Sequence, residues 1–160
     1  MAGSGGTNSE RLLAQLQRDE GAVRDQDGRH RAYRCPAGKL TIGYGHNLEA
    51  QPLPGMGEDS TMLEHEAREL LAKDANLVKG QVTRALPWTV GLDFPRFAVL
   101  VNMAFTMGIA GLCSFTNTLE DVRRGDYAGA ARRMRASRWA IQVKERARRL
   151  IRQMETGQWQ

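Results

Sequence analysis

The chain has 160 residues, 41% apolar and 26% charged, a length and composition that fit one soluble globular domain with a core of its own. Two cysteines are too few for a disulfide framework, and Cys35 and Cys113 read as reduced thiols. The net charge of +5 is uneven: residues 121–160 carry eleven Arg and Lys against four Asp and Glu, a local charge of +7.

The first ten residues are rich in Gly, Ser, Thr and Asn without an apolar stretch, so a flexible N-terminus over 1–9 and no secretory signal are expected. A first helix is expected over about 8–20, with Leu12, Leu13 and Leu16 on one side and Asn8 or Ser9 as its cap. Arg24-Asp25-Gln26-Asp27-Gly28-Arg29 is polar throughout and reads as a surface excursion, tightest at Asp27-Gly28. Two short extended runs, 32–35 and 39–43, flank Pro36-Ala37-Gly38 and predict a β-hairpin. Gly43 and Gly45 flank Tyr44, which leaves the backbone free to approach another group closely.

Two prolines and two glycines make 51–57 a loop. Thr61-x-x-Glu64 reads as a capping box opening a long helix to about 84, with Leu63, Ala67, Leu70, Leu71, Leu77, Val78 and Val82 on its apolar face. Asp93 can cap a helix running to about 107, apolar nearly all round and ended by Gly108. Shorter helices are expected at 117–124, 126–135 and 144–154, with Gly125 and Gly157 at C-cap places. The fold class is α+β. A small lobe with a short sheet (21–60) is joined by a long helix (61–84) to a larger all-helical lobe (85–160 with the first helix), making one domain over 10–160.

The longest apolar run, 97–105, is interrupted by Asn102 and falls short of the roughly 20 residues that span a bilayer, so no membrane anchor is expected. His30, His46 and His65 lack metal-ligand spacing, and neither metal nor cofactor is expected. The basic last quarter suits a solvated helical face, a nucleic-acid patch or approach to a polyanion. No nucleic-acid motif or aromatic-basic interleaving accompanies it, so nucleic acid is not an expected partner.

Glycoside hydrolysis needs a carboxylic acid to protonate the leaving oxygen and a second group to direct water at the anomeric carbon. Glu20, at the end of an amphipathic helix, can serve as that acid, although an Asp19-Glu20 pair at a helix end is by itself usually a solvated pair. Three ordered blocks change the balance. The first runs Ala32-Tyr33-Arg34-Cys35-Pro36-Ala37-Gly38-Lys39-Leu40-Thr41-Ile42-Gly43-Tyr44-Gly45-His46. The second is Asn102-Met103-Ala104-Phe105-Thr106-Met107-Gly108, then Gly111 and Phe115-Thr116-Asn117-Thr118-Leu119. The third is Ser137-Arg138-Trp139, Arg146-Ala147 and Thr156-Gly157-Gln158-Trp159.

Together they resemble the phage-type lysozymes, or endolysins, of glycoside hydrolase family 24, over about residues 10–160. The resemblance implies hydrolysis of the β-1,4 bond between N-acetylmuramic acid and N-acetylglucosamine in peptidoglycan glycan strands, with lysis of the host cell. Glu20 would be the general acid. Cys35 stands at the family's second catalytic position, which is Asp in some members and Cys in others, and Thr41 would hold the attacking water. Gly45 would line the cleft floor, Phe105 its wall, and Asn47, Thr118 and Arg133 would contact sugar. Arg146 would pair with Glu20, and His46 with Asp74. A monomer is implied, held in the host cytoplasm until a separate holin-type permeabilising protein releases it to the wall.

The family pattern is Glu, eight residues, Asp or Cys, five residues, Thr. Here five residues separate Cys35 from Thr41, but fourteen separate Glu20 from Cys35. The surplus fits the 24–29 excursion; were that segment not looped out, Asp25 or Asp27 would compete with Cys35. Arg34, adjacent in sequence, is a candidate for stabilising a Cys35 thiolate. Rival readings are a lysozyme fold without activity that binds wall or builds a phage particle, a lytic transglycosylase, and a basic nucleic-acid-binding protein.

Overall fold

The computed structural model describes residues 6–160, so the start of the expected flexible terminus, residues 1–5, lies outside the described residues. The chain forms two compact units, Met1–Asn76 and Leu77–Gln160. The small sheet region and the more extensive helical part make an α+β fold.

In the first unit, α1 (Asn8–Glu20) is capped by Thr7 rather than by Asn8 or Ser9. Thr7 Oγ1 accepts from the Glu10 N–H at 3.2 Å, and Glu10 Oε2 accepts from the Thr7 N–H at 2.6 Å. This reciprocal box answers two orphan donors, each worth about 1 kcal/mol. Leu12 and Leu16, one turn apart, are fully buried. Gly21, at φ 63°, ends the helix.

The polar excursion folds on itself. Arg24 pairs with His30 in an antiparallel bridge, and the Asp25 N–H donates to the Arg29 carbonyl at 2.9 Å. Asp25 Oδ1 accepts from the N–H groups of Asp27 and Arg29, at 2.9 and 3.0 Å, and Gly28 takes φ 78°. The inserted residues therefore close as a hairpin turn.

Beyond it, β1 (His30–Arg31) pairs antiparallel with β5 (Thr61–Met62). The strands β2 (Tyr33–Arg34), β3 (Leu40–Ile42) and β4 (His46–Asn47) form a three-stranded antiparallel sheet in that order. The hairpin read around Pro36-Ala37-Gly38 is β2–β3; β4 and the β1–β5 pair were not anticipated.

The expected capping box at Thr61 does not form. Thr61 lies in β5 and its hydroxyl accepts from Arg29 Nε at 2.9 Å, so α2 (Glu64–Ala85) begins later. Glu64 turns to other partners, described below. Glu66 Oε2 instead caps the Leu63 N–H at 2.6 Å. Of the expected apolar face, Ala67, Leu71 and Val82 are buried while Leu63 and Leu77 are exposed.

The second unit holds a 3₁₀ turn (Pro87–Gly91) that the sequence reading missed, then α3 (Phe94–Cys113), α4 (Thr116–Arg123), α5 (Tyr127–Arg135), α6 (Arg138–Val143) and α7 (Glu145–Thr156). Asp93 caps α3 as expected, its carboxylate accepting from the Arg96 N–H. This span is two helical stretches joined at Gly108, whose φ 79° and ψ 164° are not helical, so the first stretch ends there as expected and a second runs on to Cys113. By length and composition α3 is apolar enough to cross a membrane, contrary to the sequence reading; here 98–104 are buried in a core. The unanticipated α6 starts at Ser137, whose hydroxyl accepts from the Ala140 N–H and seats the buried Trp139.

On α7, Ala147, Leu150, Ile151 and Met154 recur at helical spacing and are buried. Its C-terminal carbonyls are tied to α3: Arg96 Nε donates to Met154 O at 2.7 Å and Nη2 to Glu155 O at 3.0 Å. The same guanidinium lies 3.6 Å from the Tyr127 ring centroid, a cation–π contact.

Candidate active site

The first unit gathers Glu20, Cys35, Thr41, Gly45, Asn47, His46 and Asp74. Glu20, the last residue of α1, is half-buried, and its carboxyl rests on the backbone of Gly45. A Cβ placed on Gly45 would lie 2.7 Å from Glu20 Oε2 and 3.1 Å from Cδ, and the backbone there has φ 80°. Two independent constraints thus demand glycine: a left-handed backbone and a carboxyl in the space a side chain would take.

Cys35 closes the β2–β3 hairpin, its N–H donating to Lys39 O at 3.0 Å. Its thiol is held below the ordinary value, chiefly by a backbone hydrogen bond from Lys39, with further ones from Ala37 and the Thr41 side chain outweighing burial. Arg34 is not the cause. Its guanidinium binds Glu49 at 2.7 Å, Glu58 and the Gly38 carbonyl. A ring of N–H donors around the sulfur stabilises the thiolate instead.

Thr41 is the register partner of both Tyr33 and Asn47, so the three side chains form one row across a single face of the sheet. The buried Thr41 hydroxyl donates to Lys39 O at 2.9 Å. It has one proton, so it can serve that carbonyl or a Cys35 thiolate, not both at once. Tyr33, two residues from Cys35 and half-buried, is the residue that sequence reasoning missed. Burial first, then the charges of Glu20 and Cys35, push its phenol above the usual range. One hydroxyl is thus within electrostatic reach of both expected catalytic groups. The signal was available: residues two apart on a strand share a face.

Asn47 Oδ1 accepts from the N–H groups of Glu49 and Ala50, at 2.9 and 3.0 Å, which closes the turn after β4. His46 is buried between two acceptors, Asp74 Oδ2 at 2.7 Å from Nδ1 and Gln51 O at 2.8 Å from Nε2. Burial opposes its charge, but the Asp74 and Gln51 bonds and the Asp74 carboxylate outweigh that and raise it above the ordinary imidazole value. Asp25, the alternative to Cys35, spends its carboxylate on the excursion turn, and Asp27 is exposed on it.

The second unit carries the remaining expected contacts. Thr118 and Arg133 both line a surface pocket of about 320 Å³ with Phe115, Asn117 and Ser137. Arg133 Nε donates to the buried Asp121 at 2.6 Å, which Arg124 also binds. Arg146 Nε donates to the buried Asn102 Oδ1 at 2.9 Å, and Phe105 is half-buried on α3. Trp139 packs edge-on against Phe115, and Trp159 lies tilted against Phe94, with ring planes 34° apart.

Comparison with known proteins adds an independent line. The family model for phage lysozyme matches residues 24–155. The chain is 28% identical over 165 residues to the pre-baseplate central spike protein Gp5 of Enterobacteria phage T4, covering 91% of this chain but only 28% of the spike's length. It is 35% identical over 153 residues to probable T4-type lysozyme 1 of Dictyostelium discoideum, covering 83% of this chain and 90% of that protein. It is 30% identical over 125 residues to an endolysin of Acyrthosiphon pisum secondary endosymbiont phage 1, covering 77% and 74%. The family match begins after Glu20, so the case for Glu20 stands on its surroundings and on the ordered sequence blocks.

Proposed function

Because the chain belongs to the phage lysozyme family, we propose that it is an endolysin-type muramidase that hydrolyses the β-1,4 bond between N-acetylmuramic acid and N-acetylglucosamine in peptidoglycan. Glu20 is the general acid that protonates the leaving oxygen. Thr41 holds the attacking water on the sheet face, and the Cys35 thiolate supplies negative charge toward an oxocarbenium-like state. Glu20 and water carry most of the chemistry, with Cys35 secondary. The observation that carries this reading is the setting of the Glu20 carboxyl on Gly45, in the unit where Tyr33 feels both Glu20 and Cys35.

Gly45 lines the cleft floor and seats the acid. Asn47, Phe105, Thr118, Arg133 and Arg146 are assigned to sugar contact and support on the family resemblance. Release to the wall depends on a separate holin-type permeabilising protein. The test is clearing of purified cell-wall suspensions: wild type clears them, and Glu20→Gln at equal concentration does not.

A second reading has its own support. The spike protein relative is a structural component of a phage particle by its name, and this chain spans little more than a quarter of it. On that reading the fold is a wall-binding module, and the wild-type protein pellets with cell walls without clearing them.

A further inference from the structure

The hydroxyl of Tyr44 sits at the centre of a polar network to which the catalytic reading gives no part. Tyr44 is 5% exposed, and its ring packs edge-on against the fully buried His30, with centroids 4.9 Å apart. Its O–H donates to Glu64 Oε1 at 2.5 Å. Gln17 Nε2 and Arg24 Nη2 donate to the same oxygen, at 3.0 and 3.2 Å. A phenol has one proton and two lone pairs, and all three are committed.

Glu64 is equally saturated. Its Oε1 also accepts from Arg68 Nε at 3.0 Å, and its Oε2 takes Arg24 Nη2 at 2.7 Å and His30 Nε2 at 2.6 Å. Burial opposes the charge on Glu64, and the bonds from Tyr44, His30, Arg24 and Arg68 override it, leaving the carboxyl far below the usual range. Tyr44 and His30 are buried while Glu64, Arg24 and Arg68 reach solvent, so it is the Tyr44 hydroxyl that is fixed in place, because moving it strands polar groups away from water.

The placement of this node gives it a role. Gln17 lies one turn before Glu20, on the same face of α1. Tyr44 is the middle residue of the Gly43-Tyr44-Gly45 turn, and Gly45 is where the Glu20 carboxyl rests. Gly43 is wedged on the other side, where a Cβ would lie 3.3 Å from Met62 Sδ. One oxygen therefore ties together both sides of the Glu20–Gly45 contact, the helix carrying the acid and the turn that seats it.

We infer that Tyr44, through its hydroxyl, is a positioning residue that sets the Glu20 carboxyl for proton donation, with Glu64 anchoring it and Gln17 relaying it to α1. The inference rests on the reading of Glu20 as the acid. It concerns reach rather than fold: a carboxyl misplaced by a fraction of an ångström loses proton-transfer efficiency while substrate binding is kept.

The test compares Tyr44→Phe, Gln17→Met and Glu20→Gln as purified full-length proteins on solubilised peptidoglycan, well below their melting temperatures. Tyr44→Phe keeps the ring packing on His30 and removes only the node. Its kcat falls about tenfold with KM within about twofold, since the loss is confined to the transition state. The alkaline limb of the kcat profile, which reports the acid's proton, moves away from its wild-type position. Gln17→Met shifts both in the same direction by less. Unchanged kcat and alkaline limb in Tyr44→Phe, with Glu20→Gln inactive, overturn the inference and leave the reading of Glu20 standing. Should Tyr44→Phe not fold, Gln17→Met, at a half-exposed position, decides by the same readouts. An active Glu20→Gln overturns both.

Discussion

Gly45→Ala probes the contact on which the catalytic account depends. The new Cβ would stand 2.7 Å from Glu20 Oε2, where ordinary contact begins near 3.4 Å. The carboxyl must therefore retreat by about 0.7 Å or the turn must open. Misplacement of a reacting group by about 1 Å costs on the order of 100-fold in rate, so kcat is expected to fall about 30- to 100-fold. The backbone adds a separate cost, because φ 80° is unfavourable for an L side chain by about 1–2 kcal/mol. For a chain of this size that lowers Tm by roughly 2–8 °C.

Gly55→Ala separates the two effects. Gly55 has φ 76°, and a methyl group there would meet nothing within 4 Å, so it incurs the backbone cost alone. The assay is peptidoglycan clearing rate beside a thermal melt for each variant. The expectation is a comparable Tm loss in both, with activity lost only in Gly45→Ala. Wild-type kcat in Gly45→Ala, or an equal activity loss in Gly55→Ala, would refute the assigned contact.

Three further expectations follow from the same geometry. His46 is raised by Asp74, so the pair stabilises the fold fully below the unfolded imidazole value near 6.5 and loses that contribution as pH rises through the higher folded value. Asp74→Asn should therefore lower Tm most at pH 5–6 and progressively less in alkaline buffer, as read from melts across pH; a pH-independent loss would count against the charged pair. The Cys35 thiol is lowered by its N–H donors, so its alkylation rate should rise with pH at a midpoint below that of an ordinary thiol, and Cys35→Ser should keep a measurable part of the activity. Near-complete loss in Cys35→Ser would make the sulfur a principal participant. Arg135, Lys144, Arg148 and Arg152 line one groove of about 540 Å³, and cell-wall clearing should slow as salt rises from about 50 to 200 mM through screening. Replacing Arg148 and Arg152 by Gln should flatten that dependence; an unchanged salt profile would remove the groove from wall approach.

Much of the fold was legible because its signals are local. The spacing of Leu12 and Leu16, Asp93 before Phe94-Pro95, and Gly157 after α7 each act within one or two turns. What escaped depends on partners distant in sequence. Thr61 looked like a cap because Glu64 stands three residues on, but Arg29 claims its hydroxyl and Met62 pairs with His30. Glu64 was read as local capping chemistry, and its ligands come from positions 24, 30 and 44. Gly108 does break the helix, as glycine favours, but the second helical stretch beyond it escaped notice because it forms on a core that buries Leu112. At the site, the Cys35-x₅-Thr41 spacing was visible. The donors that lower the thiol are backbone groups, which residue types do not announce, so Arg34 was credited in their place.

The central claim is that Glu20 donates the proton with which water hydrolyses the glycan strand. Digestion of purified peptidoglycan followed by mass analysis of the released fragments tests it most directly. Wild type should release fragments with reducing-end N-acetylmuramic acid, and Glu20→Gln, folded and at the same concentration, should release none. Equal release from both proteins, or 1,6-anhydro ends in the wild-type digest, would contradict it.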